Sequence, residues 1–292
     1  MSDIRPKYAL VTGASSGIGF ATALEFAKRG VTTFACARRL EPMEELKKRG
    51  VIIFKCDVSL LESVIEAKKF VAEKSGGYLD YLYNNAGQSC TFPCSDVTDD
   101  AFKQCFEVNV FGCIRMTREF LPLVINAKGT IGFTGSVSGV IPFPFSSIYS
   151  SSKAAIHQFA ATLRIEMKAF DVKVINIVTG GVKTNIADTR GLPEDSLFQV
   201  PGIKEAMLER QQMAARNNPI PAEVYAYRVV NDFQNLRIDG KLNIYRGKMA
   251  TFLGHLLDWF PRYWLENILI RKFKLGTVYL EVRKKYSKEK LE

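Results

Sequence analysis

Short apolar runs alternate along this chain with longer stretches in which apolar residues return every three to four positions. The runs at residues 8–11, 32–37, 51–55, 81–83, 130–133, 172–178 and 242–245 are too short for buried helices and read as strands. Helical periodicity covers Ala21, Leu24, Phe26 and Ala27, then residues 41–48, 61–73, 99–126 and 221–235. It also covers the stretch that begins at Tyr149 and continues through Ala154, Ala155, Phe159, Ala160 and Leu163. Strands that alternate with helices need crossover connections, so the pattern predicts an α/β fold: a doubly wound parallel sheet in three α/β/α layers.

The alternation ends near Gly247, and the composition changes there. Residues 249–270 crowd together Phe252, Leu253, Leu256, Leu257, Trp259, Phe260, Tyr263, Trp264, Leu265, Ile268 and Leu269, with Asp258, Pro261, Arg262 and Glu266 between them and Arg271-Lys272-Phe273-Lys274 after them. The division expected is a domain over residues 1–248 and an amphipathic C-terminal extension over 249–292. Charges and a proline argue against a spanning helix; aromatics followed by basic residues suit a segment lying in a membrane surface. A contact between copies of the chain, or a lid over a pocket, is the alternative.

Across 292 residues, 40 Lys and Arg stand against 30 Asp and Glu, a net charge of +10. Such a balance favours nucleic acid, a membrane surface or phosphorylated small molecules. With no recognition helix, zinc spacing or RNA-binding aromatic pattern, no nucleic-acid partner is expected. The six cysteines (Cys36, Cys56, Cys90, Cys94, Cys105, Cys113) lack a Cys-x-x-Cys pair and read as buried free thiols, and no metal site is expected. The polar start, residues 1–7, does not resemble a secretory leader, so the chain is expected not to be secreted.

Chemistry enters at the first strand. It runs into Thr12-Gly13-Ala14-Ser15-Ser16-Gly17-Ile18-Gly19 and then a helix, an arrangement that brings backbone N–H groups to a pyrophosphate. The second strand ends at Arg38-Arg39, where an acid would select a free ribose 2′-hydroxyl and arginine accommodates a 2′-phosphate. NADPH is therefore expected over NADH, with Arg38 as the main contact and Arg39 either stacked on adenine or a solvated charge. Farther on, Tyr149-Ser150-Ser151-Ser152-Lys153 puts a phenol and an ammonium four apart on one helical face. A phenol ordinarily holds its proton to a pH near 10; an ammonium about 4 Å away, at an effective dielectric near 20, contributes roughly 4 kcal/mol, enough to make it an acid at neutral pH.

Taken together, Thr12-Gly13-x-x-x-Gly17-x-Gly19, Asp57, Asn85-Ala86-Gly87, Asn109, Ser136 and Tyr149-x-x-x-Lys153 resemble the short-chain dehydrogenase/reductase family over roughly the first 245 residues. The resemblance implies a Rossmann-type sheet and a reaction in which the nicotinamide delivers hydride to a ketone while Tyr149 protonates the developing alkoxide. It also implies that Ser136 donates to the carbonyl, that Lys153 serves both the phenol and the nicotinamide ribose, and that Asn109 distorts its helix and holds a water. Cofactor contacts implied are Gly13, Ser15, Ser16, Gly17, Ile18, Gly19, Arg38, Arg39, Asp57 at the adenine, Asn85, Ala86, Gly87, Tyr149, Lys153, and Val182 with Thr184 at the carboxamide. Gly180 departs from the family's usual proline, which predicts a freer turn.

Phe92, Phe143 and Phe145 either line an apolar pocket or plug the edge of the core. Residues 185–221 form the expected substrate lid; its Arg190, Lys204, Arg210 and Arg216 read as solvated charges, with Arg190 the first choice for meeting a phosphate. The runs from Ala35 to Met43 and from Tyr83 to Pro93 and the aromatic, basic end resemble a fungal branch of the family. That branch implies an acylated dihydroxyacetone phosphate as substrate, reduced to lysophosphatidate at the cytosolic face of lipid droplets, endoplasmic reticulum or mitochondrial outer membrane, with a homo-oligomer open. A retinoid or steroid ketone would fit the same residues. Gly13-Ala14-Ser15-Ser16-Gly17 also satisfies a lipase Gly-x-Ser-x-Gly pattern, with only His157 and His255 to serve as its base.

Overall fold

The strand runs pair into one all-parallel sheet in a computed structural model that describes residues 5–184 and 186–288. Expectations for residues 1–4, Asn185 and 289–292, and for the side chains of Leu257 and Trp259, fall outside what is described. The strands are β1 (Tyr8–Thr12), β2 (Thr32–Ala37), β3 (Ile52–Lys55), β4 (Tyr81–Asn84), β5 (Thr130–Ser136), β6 (Lys173–Thr179) and β7 (Asn243–Arg246), in the order β3-β2-β1-β4-β5-β6-β7. Their crossovers carry α1 (Gly17–Lys28), α2 (Glu44–Lys48), α3 (Leu61–Ser75), α4 (Asp99–Phe106), α5 (Gly112–Ala127) and α6 (Ser147–Met167). The long β6–β7 connection holds α7 (Ile203–Gln211), α8 (Met213–Arg216) and α9 (Ala222–Asn235); α10 (Ala250–Trp259), α11 (Arg262–Lys272) and α12 (Leu275–Lys288) follow β7.

Strand side chains alternate between faces, and both faces are covered. Leu10 faces Phe120, Val124, Ile156 and Leu163 on one side, while Ala9 and Val11 face Ala23, Phe26, Val229 and Phe233 on the other. Gly132 on β5 leaves room for the Phe233 ring: a Cβ there would lie 2.1 Å from its Cζ. The strand order reverses between β1 and β4, and the crevice beyond the carboxyl ends of such strands is where open parallel sheets take ligands.

Two regions depart from the expected pattern. The helix foreseen over 99–126 is broken by a π-helical turn (Glu107–Phe111) between α4 and α5. The extension is three helices rather than one segment, with breaks before Pro261 and at Lys274, which has φ of +55°. It does not stand apart from the domain. Leu265, Leu269, Phe273, Leu275 and Val278 bury against Val137, Ile141, Phe143 and Val178 and against Ile203, Ala206 and Met207 of α7, forming a third apolar cluster over the sheet's carboxyl end. Among the described residues, no helix is long and apolar enough to cross a membrane.

Candidate active site

The glycine turn is built by close approach. A Cβ on Gly13, whose φ is +65°, would lie 2.7 Å from Ala86 Cα, and one on Gly19 would lie 2.4 Å from the Gly13 carbonyl oxygen. Gly17 (φ +55°) leaves its open side against Thr184, 3.0 Å from where a Cβ would reach. The turn thus packs directly on β4's exit and on the segment after β6. Hydrogen bonds hold it there: Thr12 Oγ1 accepts from the N–H groups of Asn85 (3.0 Å) and Ala86 (2.9 Å), and Asn85 Nδ2 donates to Thr12 O (2.9 Å). Ser16 precedes α1 without capping it through its side chain, and no acid occupies the first turn, so the helix's positive end is left for an anion.

The adenosine side lies next to this turn, because Ala14 N donates to Cys36 O at 3.1 Å. Arg38 and Arg39 follow β2 as exposed side chains that make no ion pair among the described residues. Asp57 accepts from Ser59 through Oδ1, from N at 3.0 Å and Oγ at 2.6 Å. The open N-terminus of α1, the glycine cradle, the Asp57 acceptor and the two exposed arginines fit a 2′-phosphorylated dinucleotide.

On the other side of the switch point stand Tyr149 and Lys153, the pair expected from the sequence to handle the proton. Lys153 is buried, its Nζ donates to Thr134 O (2.8 Å) and lies 5.7 Å from the centre of the Tyr149 ring. The space above Gly87 is bounded by Asn109 Oδ1 and Lys153 Nζ, 3.3 and 3.6 Å from where a Cβ would sit. Asn109 is fully buried and fully bonded: Nδ2 donates to Gln88 O (3.0 Å) and Ser152 Oγ (3.0 Å), and Oδ1 accepts from Gln88 N (2.8 Å). The helix is distorted where expected, but this side-chain amide is taken up by Gln88, Cys105 and Ser152. Ser152 Oγ passes the link on to Tyr149 O (2.7 Å).

Ser136 ends β5, and its N–H donates to His157 Nε2 at 3.1 Å, an arrangement that sequence reasoning missed. Gly135 and Gly139 make room for that ring, 2.6 and 2.7 Å from the Cβ positions they lack. Burial, and then the charge of Lys153, pull the His157 pKa down to about 4, so the imidazole is a neutral acceptor. The signal was present: His157 lies four residues beyond Lys153 on the same helical face. The lipase arrangement is absent among the described residues, where Ser15 has no hydrogen bond to either imidazole; His157 is engaged by Ser136, and His255 pairs with Asp258 at 3.0 Å.

A sequence model of the short chain dehydrogenase family matches residues 7–195. The chain belongs to that family. Over 277 residues, 93% of each sequence, this short-chain dehydrogenase is 50% identical to the NADPH-dependent 1-acyldihydroxyacetone phosphate reductase of Saccharomyces cerevisiae. It is 40% identical over 200 residues, 66% of this chain and 68% of the relative, to the protein of the same name from Schizosaccharomyces pombe. The crystal structure of a short-chain dehydrogenase from Streptomyces avermitilis superposes with a TM-score of 0.75 at 27% identity, covering 94% of this chain and 98% of that one.

Several readings of the dehydrogenase's substrate side change with the structure in hand. Gly180 is not a freer turn: its N–H donates to Arg246 O (2.8 Å), and a Cβ would lie 2.3 Å from Lys248 O. Phe143 and Phe145 pack as plugs, while Phe92 lies under the Arg190 guanidinium at 4.6 Å. Phe143 meets Phe273 edge-on at 6.4 Å, and Phe145, with φ of +58°, meets Phe198 at 6.0 Å. Arg190 is neutralised by Asp188 through two bonds (2.8 and 2.7 Å), and Asp188 also accepts from Thr91 N. Arg210, by contrast, is not a solvated charge but a buried one. Five of the six cysteines are buried and Cys94 is exposed; all are free.

Proposed function

We propose that this enzyme uses NADPH to reduce the ketone of a 1-acyldihydroxyacetone phosphate to 1-acylglycerol 3-phosphate. The observation that carries the reading is the 50% identity, over 93% of both chains, to a reductase named for that reaction. The glycine cradle, with Asn85, Ala86, Gly87, Val182 and Thr184, would hold the cofactor, and Arg38 would meet its 2′-phosphate. Bound there, NADPH supplies the hydride.

The chain's own residues handle the proton and the charge. Tyr149 donates its phenolic proton to the oxygen as the carbonyl becomes an alkoxide, and Ser136 Oγ gives a second hydrogen bond, two donors aimed at developing charge. A single donor of this kind is worth roughly 3 to 4 kcal/mol in other enzymes. Lys153, anchored on Thr134 O, stabilises the phenolate that remains. Asn109 fixes the position of α6 through Ser152; with its side chain fully bonded, any hold on a proton-relaying water falls to its main chain.

The extension supports a lipid-surface location at the cytosolic face of a droplet or organelle membrane. Phe252, Tyr263, Trp264 and Ile268 are each more than half exposed, on helices whose other face is buried, and Arg262, Arg271 and Lys272 lie beside them. Aromatic anchors next to basic residues suit an anionic interface. The function is tested by following NADPH oxidation with 1-acyldihydroxyacetone phosphate, retinal and a ketosteroid. Preferential turnover of the phosphorylated ester is expected; turnover of only an uncharged ketone would replace this substrate with another.

A further inference from the structure

Arg210 lies on the buried face of α7 with Ile203, Ala206 and Met207, and only 9% of it is exposed. Its guanidinium reaches the segment that leads into α6: Nε donates to Pro144 O (3.2 Å), Nη2 donates to Ser146 Oγ, and the group lies 5.4 Å from the centre of the Phe143 ring. These partners are neutral. No carboxylate pairs with Arg210 among the described residues, and Nη1 makes no hydrogen bond there. The other lid cations are placed differently. Arg190 is paired with Asp188, Arg216 with Glu209, and Lys204 is exposed.

A buried charge without a counter-ion is costly, by several kcal/mol in real proteins, and a bound anion would offset that cost. Burial draws the Arg210 pKa down to about 10, which leaves it cationic at neutral pH, and its charge interacts with Tyr149. Ser146 stands three residues before Tyr149, at the start of the same helix. We propose that Arg210 receives the substrate's phosphate and thereby selects phosphorylated ketones. This rests on the reading of the site as an acyldihydroxyacetone phosphate reductase and names the group that carries its specificity. In that substrate the phosphorus lies three bonds from the ketone carbon, so its receptor has to be beside the proton donor, and a planar guanidinium matches phosphate oxygens in pairs.

The test compares kcat/KM for 1-acyldihydroxyacetone phosphate with that for its dephosphorylated counterpart in the wild type, Arg210→Met and Arg210→Lys. The preference for the phosphorylated ester is expected to fall about 100-fold in Arg210→Met, as when one partner of a buried charge pair is truncated, and about 10-fold in Arg210→Lys, which keeps the charge but loses the fork. If NADPH titration shows that Arg210→Met has not folded, the ratio is read from Arg210→Lys. A ratio that stays at the wild-type value while both rates drop would make Arg210 a strut between lid and loop and overturn the assignment. If the wild type reduces neither compound, the substrate reading falls and takes the assignment with it; if it reduces the phosphorylated ester but the ratio does not move, only the role of Arg210 falls.

Discussion

Ser136 and Tyr149 come from different elements, and the groups that align them are Lys153 and His157, one turn apart on α6 and each bonded to β5's end. His157 holds the Ser136 backbone only while its imidazole is neutral. His157→Leu leaves a buried N–H without an acceptor, a loss of roughly 1 to 3 kcal/mol, and is expected to lower kcat about 10-fold with little change in NADPH binding. His157→Gln restores an acceptor and should recover most of that loss. The pH dependence has a definite sign. An unfolded chain takes up this proton as pH falls past 6.5, whereas the folded one resists to about 4, so stability is full above 6.5 and declines between those values by up to ~3 kcal/mol. Thermal unfolding across that window should show a shallower acid limb in His157→Gln than in wild type. At the cofactor, Arg38→Asp is expected to move the preference from NADPH towards NADH in steady-state kinetics, and an unchanged ratio would remove Arg38 from the 2′-phosphate. The glycine turn and the Tyr149/Lys153 pair could be singled out because each spans only a few residues, whereas Asn109 and Ser136 entered through the resemblance. Arg210 and His157 were not legible, because burial and partners 21 to 66 residues away decide what they do.

At the scale of elements, the strands were readable within a residue or two, with β5 running on to Ser136, because strands buried on both faces are continuous apolar runs. The interruption between α4 and α5 was not readable from the periodicity and was foreseen only through the resemblance that has Asn109 distort its helix. It depends on Asn109 bonding Gln88, across 21 residues of sequence, and on Gly112 passing within reach of Val58. Gly180 is the clearest case of context overriding local reading: a position that looked freer for lacking proline is locked by the chain returning at Lys248. Gly180→Ala is therefore expected to destabilise the protein by about 2 kcal/mol, as overpacking does, and to lower Tm by about 5 °C in calorimetry. A Tm equal to wild type would show that the β7 exit can retreat from Gly180.

For the molecule as a whole, the extension is two-sided: one side of α11 and α12 closes the apolar cluster beneath α7, while the exposed side of α11 presents Tyr263, Trp264 and Ile268. Removing residues 249–292 would uncover Ile141, Phe143 and Val178, so truncation disturbs the core and is not a clean test of the proposed lipid attachment. Surface changes do not disturb the core. Trp264→Ser with Ile268→Ser is expected to leave Tm nearly unchanged and to reduce flotation with anionic vesicles severalfold, as loss of apolar contact at an interface requires. Flotation equal to wild type would place the attachment elsewhere. Composition had shown that this end differs; only the packing shows that one of its sides is buried against the domain and the other exposed.

The most direct measurement is NADPH consumption on purified protein offered 1-acyldihydroxyacetone phosphate, for wild type and Tyr149→Phe side by side, with cofactor binding followed by fluorescence. Turnover by the wild type, a loss of at least about 10³-fold in Tyr149→Phe and unimpaired NADPH binding are predicted. Comparable turnover by the phenylalanine variant would contradict the claim that this phenol delivers the proton.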